Sequence, residues 1–290
     1  MGWGIFSWQL FRGVQSIFLN NFTFDSPFIL IVAFIIMLVY IGFQIYNWHI
    51  ILRQLGGKST WFEVATGYSR TFLTRYIPGT IWGYLSRSEW MYQKYKIPYL
   101  LSNSASLLEV ILTIITSFII LALLNLNATN PHNWIALIGS IIILFLPWMF
   151  IKNKNGIFSL LNRKNILSIN NISLVSWGIL LLRFSLQWLT YGLIAWITII
   201  SVIGFPHLEN YVEFGFFKAT FAFTGAWIVG FLIPFFPGGL GVRELLLTKL
   251  ISDFFYISQD QSLCVAILLR LIGSLAELIW SIWSIKNRSK

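Results

Sequence analysis

Along this chain, long apolar runs are separated by short polar linkers. Residues 27–51 are almost wholly apolar, enough for a helix to cross about 30 Å of hydrocarbon. Comparable runs occupy 99–124, 133–151, 173–204, 212–236 and 262–285. The run at 173–204 exceeds the roughly 20 residues that an upright span needs, so its helix tilts or overhangs. These runs are continuous. A transmembrane β-strand would instead alternate apolar and polar positions over about ten residues, so a β-barrel is excluded. The pattern predicts an all-α, polytopic integral membrane helix bundle of about six to eight spans.

Two segments interrupt this pattern. Residues 60–90 carry Arg70, Arg75 and Arg87 around Tyr76-Ile77-Pro78-Gly79. Residues 234–256 carry Pro234, then Pro237-Gly238-Gly239-Leu240-Gly241, then Arg243-Glu244. Proline removes a backbone donor and glycine admits left-handed φ, so each segment is expected to break into half-helices. Broken or re-entrant helices at membrane depth survive only when buried in protein or facing a wet cavity, and in transporters they often build the substrate site. The alternative is a plain interfacial loop. Residues 1–24 are aromatic but include Gln9, Arg12, Gln15, Asn20 and Asn21, and lack the order of a signal peptide. We therefore separate residues 1–26, an interfacial helix or incomplete first span, from a transmembrane domain at 27–290.

Composition sharpens the class. Hydrophobic residues make up 57% of the 290 and charged residues 10%, against about 25% charged in soluble domains. A soluble globular domain and a disordered chain are both excluded. The net charge of +10 is mostly topological. Linker 52–98 holds seven Lys and Arg residues and 152–172 holds four, and the chain ends Lys286-Asn287-Arg288-Ser289-Lys290. Segments 125–132 and 205–211 have neither Lys nor Arg. The positive-inside rule puts 52–98, 152–172 and the basic tail in the cytoplasm. Span 212–236 then ends inside, so 237–261 must return across the membrane. Residues 242–256 suit a short helix buried among others.

Candidate chemistry lies in the remaining charges. Glu109, Arg183, Arg270 and Glu277 sit well within apolar runs, where charges face a partner, a cavity or a bundle interior. Arg270 and Glu277 are seven residues apart and share a helix face. Glu109 and Arg183 are candidates for an inter-helix pair. Lys218, near a span end, can snorkel. Arg75 and Arg87 flank Pro78-Gly79, and Arg243 follows Pro237-Gly238-Gly239. Guanidinium groups bind phosphate through several hydrogen bonds, and a helix that starts after a break offers unpaired N–H groups. Trp82 and Tyr84 add rings suited to a lipid interface.

Other chemistries find little support. His49, His132 and His207 lack ligand spacing, and Cys264 lies alone in an apolar run, so no metal or cofactor is expected. No P-loop, nucleophile elbow or zinc-protease motif occurs. Outside the spans there is no compact basic domain for nucleic acid.

Pro237-Gly238-Gly239-Leu240-Gly241-Val242-Arg243-Glu244 resembles the signature of the lysylphosphatidylglycerol synthase transmembrane-region family. Arg75-Tyr76-Ile77-Pro78-Gly79-Thr80-Ile81-Trp82-Gly83 resembles that family's Leu-Pro-Gly-x-x-Gly element, and Ser102 to Glu109 a helix whose Glu follows small residues. The order matches from about residue 27 onward. The resemblance implies a flippase-like bundle with broken helices that handles polar lipids. The soluble aminoacyl-transfer domain of the synthases is absent, so lysyl transfer is not expected. Val110 follows Glu109 where the family often has Arg.

The expected function is binding of anionic or polyprenyl-type lipids and their transfer between leaflets of a bacterial plasma membrane, without enzymatic activity. Arg75, Pro78, Gly79, Arg87, Pro237, Gly238, Gly239, Arg243 and Glu244 are the expected head-group residues. Glu109, Arg183, Arg270 and Glu277 are expected to line a polar path or form ion pairs. The alternative is a non-catalytic scaffold for a glycosyltransferase or lipid-modifying enzyme. A membrane enzyme acting on lipids ranks last, because no nucleophile and base stand at recognisable spacing.

Overall fold

Each long apolar run becomes a helix because, without water, backbone donors and acceptors must be satisfied within the segment itself. The computed structural model describes residues 27–72, 74, 82–124, 173–204, 214–233 and 237–287, with Gly4 and Phe11. Among them the regular structure is helical throughout: α1 Pro27–Gln54, α2 Trp61–Arg70, α3 Trp82–Tyr95, α4 Tyr99–Leu124, α5 Leu174–Ile203, α6 Gly215–Leu232, α7 Val242–Phe255 and α8 Gln259–Lys286, with one 3-10 turn at Pro237–Gly239. Five of these (α1, α4, α5, α6 and α8) are long and apolar enough to cross a membrane. The protein is a polytopic integral membrane protein. The expected span at 133–151, the linker 152–172, the segments 125–132 and 205–211, and Arg75, Pro78 and Gly79 lie outside the described residues. So does all of 1–24 except Gly4 and Phe11.

Local signals set the helix ends. Thr60 caps α2: its Oγ1 accepts from the Glu63 N–H at 3.3 Å, and Glu63 Oε2 accepts from the Thr60 N–H at 2.8 Å. Ser258 and Gln261 exchange the same pair of bonds at the start of α8, each 3.2 Å. Ser173 Oγ accepts from the Ser176 N–H at 3.1 Å at the start of α5. The second interrupted segment does break, into the 3-10 turn at Pro237–Gly239 and α7 after it, whereas the first Pro-Gly, between α2 and α3, lies outside the described residues. The expected short helix at 242–256 is α7.

Exposure follows helical spacing. In α1 the buried Ala33, Met37, Ile41, Ile45 and Trp48 recur every three or four residues. Phe28, Ile31, Ile35, Val39 and Tyr46 form an exposed stripe on another face. In water such a stripe would be costly. In a bilayer it is the surface that meets acyl chains.

The described residues fall into two compact units. One takes in those of 27–41 and 188–279, the other those of 42–74, 81–187 and 280–287. In the first, Tyr191 on α5 stacks on Phe223 of α6 at 3.7 Å between ring centroids. A Cβ on Gly192 would collide with Thr220 Oγ1 and stand 2.9 Å from the Thr220 Cα, so the α5–α6 approach requires glycine there. In the second, Gly67 lets α2 meet the Trp90 ring of α3, which a Cβ would contact at 2.9 Å. Trp48 donates to Ser106 Oγ at 3.2 Å and Ser281 to the Ser69 carbonyl at 2.9 Å, tying α1, α2, α4 and α8.

Candidate lipid site

The second Pro-Gly break is a turn that only glycine can make. Gly238, Gly239 and Gly241 have φ of 58°, 70° and 88°, values that cost other residues about 1 kcal/mol or more each. A Cβ on Gly239 would also stand 3.2 Å from the backbone of Gly230 on α6. The turn is held by charge. Glu244, in the first turn of α7, is 2% exposed. Its Oε2 accepts from the Gly241 N–H at 2.7 Å, and its Oε1 lies 3.4 Å from Nη1 of Arg270 on α8. The same Nη1 donates to the Gly238 carbonyl at 3.4 Å. Glu244 thus occupies a donor of the broken helix with the chain's own anion. Arg243 points elsewhere, its guanidinium 4.4 Å from the Phe223 ring and 5.8 Å from Tyr191, whose hydroxyl it also meets in a hydrogen bond. No carboxylate pairs with Arg243 among the described residues.

Beyond the first Pro-Gly segment, Arg87 of α3 is 3% exposed and bonds Glu109 of α4 at 2.9 Å. Its guanidinium lies 3.5 Å from the centroid of Tyr68 and 5.1 Å from that of Trp48. Tyr68 donates its hydroxyl to the other oxygen of Glu109. Both charges are therefore neutralised inside an aromatic cage. The acid near Arg87 in sequence, Glu89, plays no part: it is exposed and accepts from Gln93 and Tyr99, each at 2.6 Å.

The short helices after the two Pro-Gly segments carry ion pairs of opposite sense. After the first, the short helix supplies the base and the long helix the acid. After the second, the short helix supplies the acid and the long helix the base. The pairing of Glu109 with Arg183 does not form. Arg87 claims Glu109, and Arg183 Nε donates to Asn47 Oδ1 at 2.8 Å. Arg270 turns to Glu244, while Glu277, which shares its helix face, is half-buried two turns on.

Sequence reasoning missed the aromatic partners Tyr68, Trp48, Tyr191 and Phe223, which look like ordinary apolar filling. It also missed Asn47 and Gln187. Their signal was present: both are amides inside apolar runs, and Gln187 stands four residues after Arg183, on the same face.

The sequence profile of the family described as the lysylphosphatidylglycerol synthase TM region matches residues 8–280. The chain belongs to that family. The match takes in the Pro237-Gly238-Gly239-Leu240-Gly241 turn, both buried ion pairs and most of the N-terminal segment. No curated protein and no solved structure matches the chain.

Proposed function

We propose that this family member holds anionic or polyprenyl-type lipids by their head groups and passes them between leaflets. The observation that supports it is the unequal treatment of three arginines, Arg87, Arg243 and Arg270. Arg87 and Arg270 are neutralised by Glu109 and Glu244. Arg243 is half-buried against aromatic rings with no carboxylate among the described residues. A guanidinium in that setting is satisfied by an anion from outside the protein, and a membrane supplies lipid phosphates. Glu244, Arg270 and the glycines Gly238 and Gly239 are positioning residues in this reading, because they shape the turn that presents Arg243. Arg75, Pro78 and Gly79 complete the proposed head-group set.

The test is reconstitution into vesicles with fluorescent phosphatidylglycerol, phosphatidylethanolamine and a polyprenyl phosphate, read by dithionite quenching. Translocation above protein-free vesicles is expected, with loss in Arg243→Gln. No translocation of any lipid refutes transport. Co-purification with a glycosyltransferase or lipid-modifying enzyme, without translocation, would favour the scaffold role instead.

A further inference from the structure

Arg183 lies in a different unit from Arg243, and its surroundings pose a separate question. Its Nε donates to Asn47 Oδ1 at 2.8 Å, and Asn47 Nδ2 donates to Gln187 Oε1 at 3.1 Å. Asn47 and Gln187 are buried. This amide chain orients the guanidinium without cancelling its charge. Phe43 and Tyr46 lie under it, with ring centroids at 5.1 and 4.9 Å. Its Nη2 is sealed from solvent and has no hydrogen-bond partner. No carboxylate pairs with it among the described residues, and residues 125–172 contain no Asp or Glu at all. A charge held this way in an apolar span is incomplete, because nearly every buried donor finds an acceptor.

The helix faces indicate what completes it. On α5, Val175, Ile179, Leu182 and Leu186 are exposed and recur every three or four residues. Arg183 is one turn after Ile179 and adjacent to Leu182, so it borders this stripe, while Gln187 lies on the buried side. Tyr46 ends the exposed stripe of α1. Arg183 is about 14 Å along α5 from Leu174. A centred α5 overhangs a 30 Å core by about 7 Å at each end, which leaves Arg183 about 7 Å inside the boundary. A long side chain at that depth reaches toward the head-group layer.

We propose that Arg183, held by Asn47 and Gln187 and flanked by Tyr46, is a binding site for the phosphate of a membrane lipid whose acyl chains lie along the exposed stripe of α5. The half-buried side of Arg183 is reached from the bilayer, and the sealed Nη2 joins the phosphate once the side chains over it part. It deepens the lipid-handling reading by naming a second phosphate site but does not require translocation. Free phosphate shares the chemistry, but the apolar stripe favours the lipid.

The test uses the full chain in nanodiscs with photoactivatable phosphatidylglycerol or photoactivatable diacylglycerol, mapping cross-links by mass spectrometry. Phosphatidylglycerol is expected to label 179–186 and Tyr46 strongly, and diacylglycerol weakly. Arg183→Gln is expected to cut that labelling about tenfold or more, the loss of one charge-assisted contact. Asn47→Asp supplies a carboxylate at the atom that already accepts from Arg183 and closes the site, with the Gln187 amide turned over to donate to the second carboxylate oxygen in place of the lost Asn47 donor. It should lose labelling without a fall in melting temperature. Equal labelling by diacylglycerol, or labelling unchanged in both variants, overturns the site. Displacement by inorganic phosphate but not by unlabelled phosphatidylglycerol overturns the lipid as ligand. Labelling that depends on Arg183, in a protein that translocates nothing, refutes the transport reading and leaves this site standing.

Discussion

Glu109→Gln isolates what the buried Arg87–Glu109 pair does for stability. The substitution keeps shape and an acceptor oxygen, but leaves Arg87, 3% exposed, as an uncompensated cation. Breaking one side of a buried pair costs about 3–5 kcal/mol. The Tyr68 face 3.5 Å from the guanidinium remains, and a desolvated cation–π contact offsets about 1–2 kcal/mol of that loss. The net destabilisation is about 1–4 kcal/mol. At about 2 °C per kcal/mol for a chain of this size, the melting temperature should fall by about 2–8 °C. Thermal unfolding in detergent micelles measures it. Arg87→Met removes the cation, so Arg87→Met/Glu109→Gln should be more stable than the two single losses added together. The coupling should be about 2 kcal/mol or more, within the range for residues in contact. A shift under about 2 °C for Glu109→Gln, or additive losses around the cycle, would refute the claim that the two groups neutralise one another out of reach of water.

Further predictions address the turn, the helix contacts and transport. Gly239→Ala forces a Cβ into φ 70° and against the Gly230 backbone, so it should lower stability by about 1–3 kcal/mol, read by the same melts. Gly192→Ala pushes α5 from α6 at Thr220 and should cost about 1–3 kcal/mol. Gly192→Ala/Thr220→Ala should recover part of that, and no recovery would show the collision lies elsewhere. Glu244→Gln removes the Glu244 charge from Arg270 and should destabilise by about 2–4 kcal/mol. Arg243→Gln should leave melting within about 1 kcal/mol of the parent, because no ion pair is broken among the described residues, while translocation falls. Equal loss of stability and transport would make Arg243 a structural residue.

The break at the second Pro-Gly segment was legible because its cause is local. Proline and glycine act within a residue or two, and the positive φ at Gly238, Gly239 and Gly241 explains the motif's spelling. The candidate site was legible only as a set of residues. Arg87, Glu109, Arg183, Arg243, Glu244 and Arg270 were all identified, since a charge inside an apolar run marks itself. Their aromatic and amide neighbours carry no such mark.

The sequence by itself determined the membrane class, the spans expected at 27–51, 99–124, 173–204, 212–236 and 262–285, each of which coincides with a helix while 133–151 lies outside the described residues, and the residues that cannot stand alone in hydrocarbon. The bilayer selects for apolar composition over about 20 residues, a property that can be read along one line. Tertiary structure decided who meets whom: Arg87 with Glu109, Glu244 with Arg270, and Arg183 with a neutral amide. Those choices depend on the depth and rotation of each helix against its neighbours. Many packings satisfy the same apolar pattern, so that pattern does not say which charges meet.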